Sequence, residues 1–424
     1  MIENIEPHMQ ENTGNFYGLG IAPRLLDILE ERGFKSPTPI QTQAIPVAIQ
    51  GKDIVGIAQT GTGKTLAFGI PMLQRLSQTG GKGLIVLPTR ELALQVDEAL
   101  HGVGRGIRLK TAVLIGGASM MAQMRSLADK PHIIVATPGR LLDHIRQKSV
   151  RLNDVHIIVL DEADRMLDMG FAPQIKEILR VLPKERQTML FSATMPPEIM
   201  KIAAGHMKIP IRVEIAPTGT TVESVTQELF IVPGVQKFSL LAKLLESYLG
   251  SVLIFTRTKY GARKVMRQLR AAGITTAEIH SNRSLNQRRE ALEGFKSGKY
   301  RTLVATDIAS RGIDVSGIEL VVNYDLPVTS DDYVHRIGRT ARAGASGHAI
   351  TFAMPDEFRE VRAIERFIRK NLTVSKLPDL PVSAAPSLGF QARRPILPAG
   401  RRLQTPQYGP YPRRGGFRRR GHRI

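Results

Sequence analysis

Short runs of β-branched and other apolar residues alternate with longer helical patterns along most of the chain. The predicted strands of the first half lie at 53–58, 83–89, 111–117, 132–138, 156–161 and 188–194. Those of the second half lie at 251–256, 275–280, 302–307, 320–325 and 348–353. Nearly continuous apolar strands separated by helices are typical of a parallel sheet with helices on both faces. The pattern therefore predicts an α/β fold.

The alternation breaks at 208–226, where Pro, Gly and Thr interrupt the apolar runs. Such a stretch predicts a linker between two domains of similar size. We expect a first domain over 1–207 and a second over 227–378, a division that suits a chain of 424 residues.

The end of the chain differs in composition from the rest. Residues 379–424 are dominated by Pro, Gly and Arg, with too little apolar surface to offset the entropy of ordering, so we expect a disordered tail. Residues 391–424 contain ten Arg and no Asp or Glu. Because the whole chain has a net charge of +21, the body is basic as well. This balance favours a polyanionic partner, and nucleic acid is the first candidate.

Composition also excludes several classes of protein. The chain has no cysteine, which excludes disulfides and thiolate metal sites. Its N-terminus is polar and does not resemble a signal peptide. No apolar run approaches the roughly 20 residues that a membrane helix requires. We therefore expect a soluble, cytoplasmic protein.

The predicted strand at 53–58 leads into the sequence AQTGTGKT, residues 58–65. This sequence fits the phosphate-binding loop pattern, with Ala58 where the stricter pattern has Gly. The glycines let backbone N–H groups point at phosphate oxygens, Lys64 reaches the terminal phosphates, and the Thr65 hydroxyl suits Mg²⁺. An ordinary turn between strand and helix is the alternative, but Lys-Thr in this register favours a nucleotide. The predicted phosphate-binding residues are Thr60, Gly61, Thr62, Gly63, Lys64 and Thr65.

Three acidic residues, Asp161, Glu162 and Asp164, follow the apolar run at 156–161. Ligands of α/β sheets bind at the carboxyl ends of the strands, so these carboxylates should lie near the phosphate loop. Asp161 is predicted to hold Mg²⁺ through water, and Glu162 to orient and deprotonate the water that attacks the γ-phosphate. Acids at a helix N-terminus are the structural alternative. Capping explains one carboxylate more easily than two acids beside a phosphate loop.

These motifs resemble the DEAD-box RNA helicases of superfamily 2, since DEAD stands literally at 161–164. The resemblance extends from about Phe16 to Ala353, and its general look is similar to the bacterial RhlE-like branch. It implies two tandem RecA-like domains with parallel sheets, and hydrolysis of ATP with Mg²⁺ coupled to local remodelling of RNA.

The resemblance also implies roles for individual residues. In the Q motif, 13–41, it points to adenine-binding Phe16, Phe34 and Gln41. The Asp314 side chain would lie near the ribose, and Arg339 and Arg342 would reach the γ-phosphate, completing a catalytic set with Lys64, Asp161 and Glu162. The implied RNA-binding residues are Pro88, Thr89, Arg90, Gly117, Thr137, Pro138, Gly139, Arg140, Thr256 and Thr306. The implied coupling residues are Asp164, Ser192, Thr194 and His335, with Asp164 and His335 as a candidate contact across the cleft.

One segment departs from the family pattern. In HSNRSLNQRREAL, 280–292, Leu285 stands where this loop often has Gln. Gln287 and Arg288 are candidate substitutes for it, so the segment is left without an assigned role.

The sequence therefore predicts an ATP-dependent RNA helicase that binds single strands and short duplexes with little base specificity. An ATP-gated RNA clamp or annealing chaperone is the alternative, because it would use the same motifs. A phosphate-loop ATPase acting on duplex DNA is a third reading, against which the Q motif and DEAD argue. Ribosomal or RNA-decay proteins are candidate partners, and we expect a monomer.

The tail combines Arg with Tyr408, Tyr411 and Phe417, a mixture that binds single strands by charge and stacking. We expect deletion of 391–424 to lower RNA affinity and to flatten its salt dependence, since phosphate contacts release counterions. Binding titrations at several salt concentrations measure both effects. A soluble end without function is the alternative, and affinity that is unchanged at low salt would rule out RNA binding by the tail.

Overall fold

The computed structural model describes residues 3–4, 14–59, 61–215, 225–307, 315, 318–340 and 347–380. Two parallel sheets organise them, and each sheet with its helices is called a lobe here. The first lobe covers the described residues up to 215, and the second lobe covers those from 225 to 380.

The first sheet has the strand order β1-β8-β2-β7-β6-β3-β5-β4, and the neighbouring strands are parallel. Its strands are β1 (Glu3–Asn4), β2 (Ile54–Ile57), β3 (Lys82–Val86), β4 (Thr111–Leu114), β5 (Ile133–Ala136), β6 (Val155–Leu160), β7 (Gln187–Ser192) and β8 (Ile211–Glu214).

The second sheet has the order β11-β12-β10-β13-β14-β9-β15 and is also parallel. Its strands are β9 (Val225–Ile231), β10 (Val252–Phe255), β11 (Thr276–Ile279), β12 (Thr302–Ala305), β13 (Leu320–Asn323), β14 (Gly347–Ala353) and β15 (Thr373–Val374).

Several helices begin at a Ser or Thr whose side chain accepts a backbone N–H of the first turn, a common helix-capping arrangement. These caps are Thr89, Ser119, Thr258, Ser284 and Thr329. The helices are α1 (Pro23–Glu31), α2 (Pro39–Ile49), α3 (Lys64–Thr79), α4 (Arg90–Gly104), α5 (Met120–Ala128), α6 (Pro138–Arg146), α7 (Ala163–Asp168), α8 (Ala172–Val181), α9 (Pro197–His206), α10 (Lys237–Ser247), α11 (Lys259–Ala271), α12 (Leu285–Lys296), α13 (Ser330–Ile337) and α14 (Phe358–Ile368). Among these helices, none combines the length and the apolar content needed to span a bilayer.

Apolar clusters cover both faces of each sheet. Strands such as β2, β5 and β10 are buried along their whole length, as the continuous apolar runs predicted. In the first lobe the rings of Phe68 on α3 and Phe191 on β7 lie 5.5 Å apart between centroids. This packing holds α3, which follows the phosphate loop, against the middle of the sheet.

The predicted α/β fold with parallel sheets is confirmed, and every predicted strand is present. Most of these strands end before the predicted limit, because their last polar residues belong to loops at the carboxyl edge. β8 and the start of β9 lie inside the predicted linker at 208–226. Residues 216–224 and the tail from 381 onward lie outside the described residues.

The buried carboxylate of Asp53 joins three parts of the first lobe. It directly precedes β2, and its oxygens accept the Thr188 N–H at 2.7 Å and the Lys208 N–H at 2.6 Å. Burial raises the pKa of Asp53, although these hydrogen bonds lower it in part. The side chain therefore ties β2 to β7 and to the approach to β8.

We expect Asp53→Ala to lower the free energy of unfolding of the first lobe by about 2–4 kcal/mol, because the buried Thr188 N–H and the partly buried Lys208 N–H lose their acceptor. Denaturant or thermal unfolding measures the change. Glu177→Ala is the matched control, since its ion pair with Arg146 is exposed and should contribute less than about 1 kcal/mol. Equal stability of the two variants would show that Asp53 has no special role.

Candidate functional site

The order of the first sheet divides its carboxyl edge into two halves. The neighbouring strands β2, β7 and β6 are followed by the segments 58–65, 192–194 and 161–164. The neighbouring strands β3, β5 and β4 are followed by the segments 88–90, 137–140 and 116–117. The predicted nucleotide motifs are therefore brought together on one half, and the predicted RNA loops of this lobe on the other.

The phosphate loop bends at two glycines in the left-handed region, Gly61 with φ 89° and Gly63 with φ 90°. Lys64 is the first residue of α3, and its buried Nζ donates a hydrogen bond to the Ala58 carbonyl oxygen at 3.0 Å. The Thr62 hydroxyl donates to the Gln59 carbonyl at 2.7 Å. The loop thus closes on itself with its lysine held at the centre.

Gln41 connects the predicted Q motif to this loop. Its Oε1 accepts the Thr38 N–H at 2.9 Å, and its Nε2 donates to the Gly63 carbonyl at 3.0 Å. A side chain at Gly63 would overlap the Gln41 amide, so the close approach requires glycine. Phe34 is 40% exposed and available for stacking, whereas Phe16 is 4% exposed and packs in the core of the first lobe.

The acidic segment after β6 is almost completely buried. Burial raises the pKa of Asp161 to about 6, even though Lys64 lowers it. Burial alone would also raise the pKa of Glu162, but Arg165, Lys64 and Arg339 together hold it below its usual value. Glu162 has φ 51° and ψ 50°, a left-handed conformation that is uncommon for a residue with a side chain. Two adjacent carboxylates therefore have opposite pKa shifts.

Asp164 is held by the segment after β7. One oxygen accepts the Ala193 N–H at 3.0 Å, the Thr194 N–H at 2.9 Å and the Thr194 hydroxyl at 3.1 Å. The Asp164 N–H in turn donates to the Ser192 hydroxyl at 3.1 Å. Burial alone would raise the pKa of Asp164, but Lys64 and these hydrogen bonds lower it. The predicted coupling residues of the first lobe thus form one network.

The predicted contact between Asp164 and His335 does not form in this structure. Its place is taken by Arg165, whose Nη2 lies 2.9 Å from the His335 Nδ1 and whose Nε lies 3.4 Å from the Glu162 Oε2. The His335 Nε2 faces Asp331 at 3.0 Å. The carboxylate of Asp164 is already used by the Thr194 segment, so the guanidinium beside it reaches the second lobe instead. Sequence reasoning missed Arg165, although its position directly after DEAD was a usable signal.

The second lobe presents α13 and the turn after it to this cluster. Arg339 is 3% exposed, and its charge lowers the pKa of Glu162. Arg336, which sequence reasoning also missed, donates from Nε and Nη2 to Asp307 at 2.6 and 2.8 Å and lies over the Phe255 ring. It therefore fixes α13 against the ends of β10 and β12. The predicted residues Thr60, Asp314 and Arg342 lie outside the described residues.

The predicted RNA loops of the first lobe touch one another. The Arg90 guanidinium lies against Gly116 and Gly117, and Gly117 has φ 77°. Arg140 Nη1 donates to the Ala118 carbonyl at 3.2 Å. Pro88, Thr89, Thr137 and Pro138 are buried beneath them, so solvent reaches mainly Arg90, Gly117, Gly139 and Arg140.

In the second lobe the predicted RNA residue Thr256 is fully buried, and its hydroxyl donates to the Thr258 carbonyl at 3.3 Å. Its N–H donates to the Ala305 carbonyl at 2.9 Å, which continues the sheet pairing. The exposed part of this loop is Arg257 and Thr258 instead. Thr306 follows β12 and is partly exposed.

The segment that departs from the family pattern joins the lobes. Arg288 on α12 forms an ion pair with Glu91 on α4 at 3.0 Å, and both side chains are nearly buried. Leu285 packs against the apolar core of the first lobe. Because Glu91 directly follows Arg90, this contact links α12 to the predicted RNA loops.

Comparison with known proteins agrees with this geometry. A family model described as DEAD/DEAH box helicase matches residues 38–202, and one described as Helicase conserved C-terminal domain matches 236–344. An ATP-dependent rRNA helicase rrp3 from Sclerotinia sclerotiorum is 44% identical over 348 residues, covering 81% of this chain and 72% of that protein. The DEAD-box ATP-dependent RNA helicase CshA of Geobacillus kaustophilus is 42% identical, covering 86% and 79%.

Two solved structures show the same arrangement. Dbp5 of S. cerevisiae bound to RNA and ADP BeF3 has a TM-score of 0.78 and 30% identity, covering 85% of this chain and 95% of its own. Mss116p bound to ssRNA and AMP-PNP has a TM-score of 0.81 and 26% identity, covering 89% and 82%. Fold and site thus define a protein of two tandem RecA-like lobes around a nucleotide site. The chain belongs to the DEAD-box family, and it is an ATP-dependent RNA helicase that binds RNA.

We expect Arg165→Lys to lower RNA-stimulated ATP turnover by about tenfold to a hundredfold, because a Lys keeps the charge but cannot hold Glu162 and His335 at once. ATP affinity should change little, since Arg165 does not contact the phosphate loop. Steady-state kinetics and equilibrium nucleotide titration measure the two quantities. Arg146→Lys is the matched control because Arg146 forms an exposed ion pair. Turnover equal to that of the control would contradict the bridging role of Arg165.

Proposed function

We propose that ATP is hydrolysed in the cleft between the lobes, and that RNA bound across both lobes stabilises the arrangement in which the site is complete. The observation that carries this proposal is the set of positive charges around Glu162. This buried carboxylate has Arg165 of its own lobe on one side and the charge of Arg339 from the second lobe nearby. Neither lobe alone supplies both.

Binding of the nucleotide falls to the first lobe. The bent phosphate loop offers its N–H groups to the phosphates, and the N-terminus of α3 adds its positive dipole end. Lys64 exchanges its bond to the Ala58 carbonyl for the β- and γ-phosphates. Gln41 reads the adenine edge while it remains close to Gly63, and Phe34 stacks on the base.

The residues also fit Mg²⁺. Asp161 is a buried carboxylate whose described hydrogen bond comes from the Glu162 N–H, and its raised pKa marks a charge that is incompletely compensated. Within the described residues, no group of three or more His, Cys, Asp or Glu is placed to hold a metal. Asp161 and Thr65 would hold the cation, and Mg²⁺ bound there would neutralise phosphate charge.

Glu162 positions the attacking water. Its lowered pKa keeps the carboxylate ionised at neutral pH, so it can accept a hydrogen bond from water and then a proton. The left-handed backbone of Glu162 fixes the direction of the side chain before substrate arrives. Arg339, together with Arg342, stabilises the charge of the γ-phosphate during transfer.

RNA binding follows from the second half of the carboxyl edge. Arg90, Gly117, Gly139 and Arg140 offer guanidinium and backbone N–H groups, which contact phosphate and sugar without reading sequence. Glu91 and Arg288 connect these loops to the second lobe. A strand that binds both lobes therefore favours the geometry that places Arg339 near Glu162, so RNA and ATP should each increase the affinity for the other.

Finer assignments rest on the same reasoning. The domain limits 1–207 and 227–378, the monomeric state and the cytoplasmic location stay predictions. The similarity to the bacterial RhlE-like branch also stays a prediction, since the relatives compared above carry other names. The description of the Sclerotinia sclerotiorum relative as an rRNA helicase supports ribosomal RNA as a candidate substrate and ribosomal proteins as candidate partners.

We expect Glu162→Gln to reduce RNA-stimulated ATP hydrolysis by about a hundredfold or more, because the amide can neither accept the proton nor orient water in the same way. ATP binding should remain. Phosphate release with and without RNA, together with nucleotide titration, measures these effects. Glu185→Gln, an exposed residue paired with Lys208, is the control and should behave as wild type. Equal turnover by both variants would remove Glu162 from the catalytic role.

A strand-separation assay alongside a strand-annealing assay tests the coupling to RNA. Wild type should separate short duplexes with ATP, and Glu162→Gln should not do so repeatedly. Annealing without separation would favour the clamp or chaperone alternative.

A further inference from the structure

Helix α11 in the second lobe carries an unusual concentration of positive charge. Residues 259–271 contain five basic residues and no Asp or Glu. Lys264 and Arg267 are exposed and Arg263 is partly exposed. These three residues, called the α11 stripe here, form no ion pair with the residues that the structure describes.

Several other basic side chains on the surface of this lobe are neutralised by ion pairs. Arg289 pairs with Glu293 at 2.7 Å, Lys299 with Glu290 at 2.8 Å and Lys243 with Glu246 at 2.7 Å. The stripe has no such partner, so its members repel one another along one helix face. Repulsion between like charges destabilises the folded state, and a bound polyanion removes this repulsion.

An aromatic side chain stands at the start of the stripe. Tyr260 is 70% exposed, and the Lys259 Nζ lies 5.3 Å from its ring centroid. An exposed Tyr beside basic residues can stack on a base while the cations contact phosphates. A simple solubility function would not require this aromatic residue.

The stripe continues from a loop already placed at the RNA path. The Thr258 hydroxyl accepts the Gly261 N–H and caps α11, so the helix begins where the exposed Arg257 and Thr258 end. From Tyr260 to Arg267 the helix rises about 10 Å. This distance matches roughly three nucleotides at about 3.4 Å per nucleotide.

We propose that the α11 stripe and Tyr260 form a second RNA-binding surface, which holds about three nucleotides of single strand next to the segment bound in the cleft. The inference rests on the proposed function, because the cleft must hold the first segment. Its chemistry is recognition of phosphate with one stacked base, without base specificity. This second surface extends the length of RNA that the helicase contacts and thereby increases the affinity for longer strands.

The test uses the full chain with Arg263→Gln, Lys264→Gln and Arg267→Gln combined. The matched control combines Arg180→Gln, Lys184→Gln and Lys201→Gln, which removes the same charge from exposed positions of the first lobe. Uridine oligomers of increasing length are titrated at several salt concentrations with a non-hydrolysable ATP analogue. Thermal unfolding checks that both variants are folded.

We expect wild type and control to gain affinity with length beyond the strand that fills the cleft, and the stripe variant to lose most of this gain. The loss should be roughly tenfold at low salt, and the slope of log affinity against log salt should fall by about 2, since each lost single-strand phosphate contact contributes about 0.7. Tyr260→Leu should weaken binding of the longer strands with no change in this slope.

Two results separate the possible failures. If the shortest oligomer fails to stimulate ATP hydrolysis by wild type, the proposed function is wrong and this proposal falls with it. If short RNA stimulates hydrolysis but stripe variant and control bind long RNA equally, only the α11 proposal is overturned. A surface that binds an acidic protein instead would give that second result.

Discussion

The arrangement depends on one electrostatic constraint, namely the burial of Asp161, Glu162 and Asp164 in a single short segment. A buried charge is costly unless it is paired or hydrogen-bonded. Lys64 supplies positive charge from the phosphate loop, Arg165 from the same segment, and Arg339 from the other lobe. Asp164 is stabilised by the charge of Lys64 and by hydrogen bonds from the Thr194 segment. Compensation of this cluster therefore includes the second lobe, and the catalytic geometry is bound to the relative position of the lobes.

The order of the first sheet explains how a second ligand can act on this cluster. The strands that carry the nucleotide motifs are neighbours, and so are those that carry the RNA loops. β6 and β3 adjoin at the boundary, so the acidic segment after β6 lies beside the loop after β3. A shift of the second lobe disturbs both halves of this carboxyl edge. Arg165 contacts His335 on the half with the nucleotide motifs, and Glu91 pairs with Arg288 on the half with the RNA loops.

Much of this could be predicted from sequence because it rests on local rules. Apolar runs predicted the strands, and the glycines together with Lys64 predicted the phosphate loop. Which charged side chains pair across the cleft could not be predicted in the same way. Arg165, rather than Asp164, meets His335, because which charged side chain crosses a cleft is decided by tertiary packing.

The burial of short polar segments could not be predicted from the sequence either. Thr256 is buried since its strand pairing continues beyond the apolar run, which leaves Arg257 and Thr258 as the exposed residues. β8 lies inside the predicted linker because its four residues stand between Pro210 and Pro217 and give a weak strand pattern. Its place in the sheet is fixed by pairing with β2, a contact distant in sequence.

The contact of Leu285 with the first lobe makes the strength of the junction between the lobes depend on temperature. Where the family often has a polar Gln, this chain packs a partly buried apolar side chain against the opposite lobe. Contacts made by removing apolar surface from water weaken on cooling. The desolvation penalty of an ion pair such as that of Arg288 and Glu91 grows as the temperature falls. Cooling therefore weakens both contacts between the lobes.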